Sequence, residues 1–168
     1  MTEVVFFSIL VKILPLISET VAFTGSVNQQ WAVASFSSRS MPPSAHQAAC
    51  YHWLVTYRDI IRITVPTHLT TIGSSLLNMR DSKISIVWWI ALAALVAAHS
   101  YPVSLGLSWL NLTEADWKKK TPEQAQRFMQ DFVDINGRRL LLPDLLAWGT
   151  ALLAVTLNLT AWVSQGSG

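Results

Sequence analysis

Residues 127–146 read RFMQDFVDINGRRLLLPDLL, and this stretch decides the fold that we predict. Its first part holds three arginines and two aspartates, and its second part runs into apolar residues that continue to Val163. One further carboxylate, Asp144, follows directly after Pro143 inside the apolar part. Charged groups at the mouth of an apolar helix indicate a polar site at the end of a membrane span, with the other helices forming walls around it.

The composition is that of a membrane protein. Of the 168 residues, 51% are hydrophobic and 13% are charged, whereas soluble domains carry roughly 25% charged residues. Eight tryptophans suit a chain with two water–lipid interfaces, where indole rings are favoured. The net charge of +2 is small and scattered, so we expect no nucleic-acid partner. The single cysteine, Cys50, excludes an internal disulfide.

Four apolar segments are long enough to cross a bilayer, which takes about 20 mostly apolar residues. We place the spans at about 4–27, 60–79, 84–107 and 140–163, within one integral membrane domain of residues 1–168. The N-terminal segment lacks a basic start and a clear cleavage motif, so we interpret it as a retained helix and not a signal peptide. The predicted fold class is all-α: a four-transmembrane-helix bundle with a long first connection and a short soluble helix before the last span.

The two predicted connections differ in character. Residues 35–50 are rich in serine and proline, and their length favours a cap or lid. The soluble helix begins at Thr121, where Thr-Pro-Glu-Gln has the pattern of an N-cap with a capping box. Asn136-Gly137 has the pattern of its C-cap.

Orientation stays open at this stage. Lys and Arg are more numerous in the two long connections, which favours a cytosolic location for them. The sequence Asn111-Leu-Thr113 is a glycosylation sequon, and it can be used only if the same side is luminal.

Ionisable side chains inside the spans are candidates for function, because a charge in the bilayer is costly. His68 lies beside Pro66 in the second span and titrates near neutral pH, as a proton-transfer group should. An interhelical hydrogen bond would explain it equally well. Glu19 in the first span is a candidate acid or base, and the alternative is an ion pair with Lys12, Arg58 or Arg62.

The residues around the last span suggest a substrate site. Arg138, Arg139 and Asp144 are suited to hold an anionic or phenolic substrate, although Arg139 could instead extend to the lipid headgroups. Trp53 and Tyr57 are candidates for an aromatic pocket wall or for simple packing. The four histidines are scattered without a carboxylate at helical spacing, so we expect no metal site.

The order of short motifs resembles a known family. Ala22-Phe-Thr-Gly25 in the first span is followed by Trp53-x-x-x-Tyr57, by Tyr101-Pro-Val-Ser-Leu105, and by Phe132-x-x-x-Asn136-Gly-Arg138-Arg139. Over residues 10–160 this layout is similar to the small four-helix membrane proteins that include fungal anthrone oxygenases of aromatic polyketide pathways. Arg139 matches that family's arginine, whereas Asn136 stands where the family has histidine.

The resemblance implies a membrane-embedded tailoring enzyme of natural-product biosynthesis, in the endoplasmic reticulum or another endomembrane. It implies cofactor-independent oxygenation of a hydrophobic, aromatic or polyketide-like substrate, through an anion that reacts directly with O₂. Because Asn136 departs from the pattern, isomerisation or cyclisation by the same groups is a close variant. The catalytic candidates are His68, Glu19, Asn136, Arg139 and Asp144, and the substrate-binding candidates are Trp53, Tyr57, Arg58, Arg62 and Arg138.

A different class of function is a non-catalytic membrane scaffold or a transport subunit. The polar faces of the first two helices would then hold the helices together or form a conduit. The expected partners in either class are the lipid bilayer and, for the enzyme, a hydrophobic small molecule. Self-association into a homo-oligomer is left open.

Overall fold

The computed structural model describes residues 3–38, 40–79, 85–110 and 112–166, and every regular element in them is helical. This confirms the all-α prediction. The sequon at Asn111 and the side chains of the 101–105 motif lie outside the described residues. In chain order the elements are α1 (Glu3–Phe36), α2 (Pro43–Met79), α3 (Ser85–Leu110), α4 (Glu114–Lys118), α5 (Pro122–Arg139), a π-helical turn (Leu140–Asp144) and α6 (Leu145–Gly166).

The long helices are arranged as a bundle. Helix α1 packs on α2 along much of its length and on α6, while α3 packs between α2 and α6. Helix α5 lies against α1 and α2, and it is joined to α6 through the π turn. Four long helical segments that each contact two neighbours form the arrangement of a four-helix bundle.

Two helical segments are long and apolar enough to cross a membrane, Val5–Phe36 and Pro122–Ser164. A shorter apolar helix covers Ser85–Ala98. A buried helix of a soluble protein or a signal sequence can have the same length and composition, so these helices are compatible with a membrane and no more. The four predicted spans are not confirmed, because α2 carries Arg58, Asp59 and Arg62 together with several hydroxyl side chains.

The predicted long first connection is wrong. Helix α1 continues to Phe36 and α2 already begins at Pro43, so residues 35–50 form no extended cap or lid. The extra turns are held by packing: Val33 of α1 and Cys50 and Trp53 of α2 are buried together with residues of α4 and α5. We call this the head cluster, and its buried members are Val33, Cys50, Trp53, Leu54, Trp117, Ala125 and Met129.

The capping box at the start of α5 is confirmed. The Gln124 backbone N–H donates to Thr121 Oγ1 at 3.2 Å, and the Thr121 backbone N–H donates to Gln124 Oε1 at 3.0 Å. These two bonds satisfy amide groups that a helix start leaves without an intrahelical partner.

The predicted C-cap at Asn136-Gly137 is wrong, because α5 runs through both residues and continues into the π turn and α6. The short soluble helix is therefore the first part of a continuous segment that includes the last apolar helix. A Cβ at Gly137 would lie 3.2 Å from Gln30 Nε2, so this glycine permits a close approach of α1. Pro143 lies inside the π turn, where the wider turn accommodates a residue without an N–H donor.

Candidate functional site

A chain of buried polar side chains runs between α1, α2 and the segment from α5 to α6. The α1 members recur at helical spacing on the face that packs against the other two elements. We call this set the polar core; its members are Ser18, Glu19, Ser26, Gln30, Thr71, Asn136, Arg139 and Asp144.

At the end nearest the head cluster, Asn136 links α5 to α1. Its Nδ2 donates to Gln30 Oε1 at 2.8 Å and lies 3.5 Å from the Ser26 carbonyl oxygen. Gln30 Nε2 in turn donates to the Val133 carbonyl at 3.1 Å. The Asn136 residue is only 3% exposed, and its Oδ1 has no hydrogen-bond partner among the described residues. Asn136 therefore has one acceptor free for a donor group.

Arg139 joins the two halves of the polar core. Its Nη2 donates to Ser26 Oγ at 2.7 Å, and its Nε donates to Asp144 Oδ2 at 3.2 Å. The two charged side chains are 16% and 10% exposed, so Arg139 does not extend to the surface as the alternative interpretation required. Residues five apart point about 140° away from each other around an α-helix. The π turn brings Arg139 and Asp144 to the same side.

Glu19 is the most isolated charged group of the polar core. The residue is 2% exposed, and its Oε2 has no hydrogen-bond partner in the described part of the chain. The Thr71 hydroxyl and the Asp144 carboxylate are close enough to interact with it, and Thr71 Oγ1 lies 2.7 Å from Ser18 Oγ. Two carboxylates thus lie near each other, and only Asp144 is paired with a guanidinium.

The predicted ion pair of Glu19 with Lys12, Arg58 or Arg62 is wrong. No ion pair found among the described residues includes Glu19. Arg62 pairs with Asp59 at 3.0 Å on the exposed surface of α2. A buried carboxylate without a cationic partner is costly, which makes Glu19 the most informative candidate for function.

Aromatic rings close the head end of the polar core. Trp53, Tyr57 and Phe132 form a triangle with ring centroids 5.4–6.2 Å apart. Burial raises the pKa of Tyr57 above its ordinary value of 10, and the nearby positive charge of Arg139 partly offsets this effect. Tyr57 is therefore protonated at neutral pH and can donate a hydrogen bond.

The structure brings together only part of the predicted site. Glu19, Asn136, Arg139 and Asp144 belong to the polar core, and Trp53 and Tyr57 lie beside it. His68 instead lines a recess of about 200 Å³ with Leu95 and Val96 of α3. Three further predicted residues are exposed and do not line the polar core: Arg58, Arg62 and Arg138.

Sequence reasoning missed several members of the site. Ser18, Ser26, Gln30 and Thr71 hold the charged groups in place, yet each is an ordinary polar residue when read alone. The signal that could have found the α1 members is their spacing, since polar residues at 18–19, 26 and 29–30 lie on one face of a helix that is otherwise apolar.

An open cleft lies next to the polar core, between residues 21–32 of α1 and residues 53–67 of α2. Its volume is about 370 Å³. Ala22, Gln29 and Thr67 line the side of the cleft nearest the polar core. We call it the α1–α2 cleft. Among the described residues, no three His, Cys, Asp or Glu side chains converge as they would at a metal site.

No protein-family model, curated protein or solved structure matches this chain. The resemblance to the anthrone oxygenase-like proteins is therefore not supported by any comparison, and it stays a prediction.

Proposed function

We propose that this chain is an integral membrane enzyme that performs acid–base chemistry on a hydrophobic small molecule at the polar core. The observation that carries the proposal is Glu19 Oε2, a buried carboxylate oxygen without a partner next to the Asp144–Arg139 pair. Ionisable groups in this situation are retained at functional sites more often than as structural elements. Such a group can take up a proton from a bound substrate.

The membrane part of the proposal is supported by where apolar side chains lie. Large apolar residues are exposed around the bundle, with Leu141 and Leu142 70% and 71% exposed and Phe7 62% exposed. The contact between α3 and α6 is instead made largely of alanines. Small residues at helix contacts and large apolar residues outside are typical of membrane bundles. We propose four spans, at about 4–27, 60–79, 84–107 and 140–163, in the endoplasmic reticulum or another endomembrane.

The proposed chemistry begins with removal of a C–H or phenolic proton by Glu19. Arg139 and Tyr57 then stabilise the resulting anion, while the free Oδ1 of Asn136 accepts a hydrogen bond from a donor group of the substrate. In the oxygenation that the resemblance suggests, an activated CH₂ group and O₂ give a carbonyl group and water, and the proton on Glu19 leaves with the water. In the redox-neutral variant the proton returns to another atom of the same molecule, which gives isomerisation or cyclisation. The aromatic or polyketide-like nature of the substrate comes from the resemblance alone.

The test compares, by mass spectrometry, the metabolites of the source organism with and without the gene. Genes that encode single variants are then introduced into the strain that lacks the gene. We expect a precursor one oxygen short of the lost product for oxygenation, and an isomer of that product for the redox-neutral reaction. Glu19→Gln keeps the size of the side chain and removes the base, so product should fall by about 10² or more.

The matched control is Glu123→Gln, which changes an exposed carboxylate at the start of α5 and should restore full product. Abundance and helix content of each variant are measured in parallel. Full product with Glu19→Gln, at normal abundance, would contradict the proposed role of Glu19. An unchanged metabolite profile without the gene would contradict the enzyme proposal as a whole.

A second candidate function is a non-catalytic scaffold or transport subunit. It is favoured by hydrogen bonds that need no substrate: Asn78 Nδ2 donates to the Val11 carbonyl at 2.9 Å, and Asn158 Nδ2 lies 3.5 Å from Asn78 Oδ1. Such bonds hold membrane helices together. Under this function, Glu19→Gln should alter abundance, assembly or pH-dependent proton flux in proteoliposomes, and leave metabolites unchanged.

A further inference from the structure

The α1–α2 cleft has the dimensions of a ligand site. Its volume of about 370 Å³ lies within the range of roughly 300–1,000 Å³ that is usual for small-molecule sites. On α1 it extends from Val21 to Ala32, which at 1.5 Å per residue is about 16 Å of helix. Trp53 of the head cluster lines one end, and Ile63 and Thr67 line the other.

Half of the α1 residues that line the cleft are small: Ala22, Gly25 and Ala32. The others are Val21, Asn28 and Gln29. A Cβ built at Gly25 meets no atom within 4 Å, so the space in front of this part of the wall is open and leaves room for a flat and rigid molecule. A rigid molecule also loses less conformational freedom on binding than a flexible acyl chain.

The polar groups in the cleft include a buried acceptor without a partner. Gln29 is 8% exposed, and its Oε1 has no hydrogen-bond partner among the described residues. The hydroxyls of Thr56 and Thr67 donate to carbonyls of their own helix at 2.9 and 2.8 Å, so only their acceptor lone pairs remain. A molecule that carries a hydroxyl donor satisfies Gln29 Oε1, whereas an ether or ketone does not.

The distribution of charged and polar residues further limits the classes of ligand that fit the cleft. None of the described residues that line the cleft is charged, which disfavours a fatty acid or a phospholipid headgroup. The two amides, Asn28 and Gln29, lie at the head end, where the 72% exposed Trp31 suits a membrane interface. The opposite end is formed by Val21 and Ile63 together with Thr64 and Thr67, and it carries no amide group.

We propose that the α1–α2 cleft binds a sterol from the bilayer, with the sterol hydroxyl donating to Gln29 Oε1 and the ring system lying along the small-residue wall of α1. A sterol is the neutral membrane lipid with one hydroxyl head and a flat, rigid body. The proposal rests on membrane insertion, which is part of the function proposed above, and it does not depend on catalysis at Glu19.

The test uses the full chain in lipid nanodiscs and a sterol that carries a photoreactive diazirine in its ring system. We expect cross-links within residues 21–32 and 53–67, mapped by mass spectrometry. Unlabelled sterol should compete about tenfold better than its 3-O-methyl ether, which has the same body but no donor. The proposal is overturned if the sterol and its ether compete equally well. It is also overturned if a long-chain alcohol competes as strongly as the sterol.

Two variants locate the site. Gly25→Leu places a side chain in the open space and should reduce cross-linking about tenfold or more. The matched control is Gly73→Leu, because Gly73 lies on α2 outside the cleft and a Cβ there also meets nothing within 4 Å. Unchanged labelling of the Gly25→Leu variant overturns the proposal. So does a dimer cross-linked through the cleft, since a second copy of the chain would then occupy it.

Gln29→Leu identifies the hydrogen bond. This variant should abolish the difference between the sterol and its methyl ether while leaving binding of the ether within about twofold. If the Gln29→Leu variant still binds the sterol more tightly than its methyl ether, Gln29 does not accept the hydrogen bond from the sterol hydroxyl. Carbonate extraction measures membrane insertion independently of sterol binding. The Glu19→Gln variant should keep full labelling by the sterol probe. A failure of the proposed enzyme function can therefore be distinguished from a failure of the proposed sterol site.

Discussion

The head cluster and the polar core are stabilised in opposite ways, although they share α1, α2 and α5. The head cluster packs large side chains, including Trp53, Trp117 and Met129, without charged groups. The polar core buries an arginine and two carboxylates, and only one of these carboxylates has a cationic partner. Apolar burial stabilises without directional requirements, whereas buried charges must meet specific partners. The comparison teaches that one region can stabilise the fold by apolar packing while its neighbour buries a costly arrangement of charges.

The largest expected effect comes from Arg139→Ala. It leaves Asp144 without its cationic partner in a buried site, and removal of one partner of such a pair typically costs about 3–5 kcal/mol. The adjacent Arg138→Ala changes an exposed side chain and should cost under about 0.5 kcal/mol. Denaturant titration in mixed micelles measures both. Equal losses for the two variants would show that the pair with Asp144 does not stabilise the polar core.

Met129→Ala examines the head cluster. The Met129 side chain is fully buried, so its truncation leaves a cavity and should cost about 2–5 kcal/mol of unfolding free energy. The comparison variant Leu141→Ala shortens a side chain that is 70% exposed and should change little in the same titration. If Met129→Ala is as mild as Leu141→Ala, the head does not form a close-packed core.

Gly137→Ala examines the contact between the two regions. The new Cβ would lie 3.2 Å from Gln30 Nε2 and should shift Gln30 away from Asn136, with a net loss of about 1 kcal/mol. Gly149→Ala is the matched control because a Cβ there meets nothing within 4 Å, and it should gain about 0.5–1 kcal/mol from helix propensity. If both substitutions raise the stability measured by thermal unfolding, the close approach of Gln30 to Gly137 is contradicted.

The last prediction is a pH dependence of the head cluster that leaves stability at neutral pH unchanged. Burial raises the pKa of Cys50 to about 12 from its ordinary value of 9.0. Because the folded state favours the protonated thiol, this contribution to stability is present below about pH 9 and declines as pH rises toward 12. Maleimide labelling at pH 8 should therefore be slow until denaturant opens the head. The Cys50→Ala variant should not show this decline in stability at alkaline pH. Rapid maleimide labelling of the folded wild-type protein would contradict the burial of the Cys50 thiol.

The sequence alone indicated candidate residues for chemistry, but it indicated only in part which of these residues lie close together. Glu19, Arg139 and Asp144 stood out as charges in apolar segments, and the structure places them in one cluster. For Arg139 the sequence favoured an extension to the headgroups, which the structure does not show. The π turn decides between these interpretations, because it inserts Asp144 on the side of Arg139 that faces α1. Nothing in the local pattern beyond Pro143 indicated that turn.

What the sequence by itself determined is local. The helical class, the two longest apolar helices and the capping box at Thr121 follow from hydrophobic runs and from hydrogen bonds within three or four residues. The tertiary structure decided the rest: the extension of α1 and α2 into the head cluster, the pairing of Asn136 with Gln30, and the role of Gly137 in close packing. These depend on how each helix is rotated and shifted against its neighbours. Rotation and register are set by the packing of all the helices at once, which no single stretch of sequence encodes.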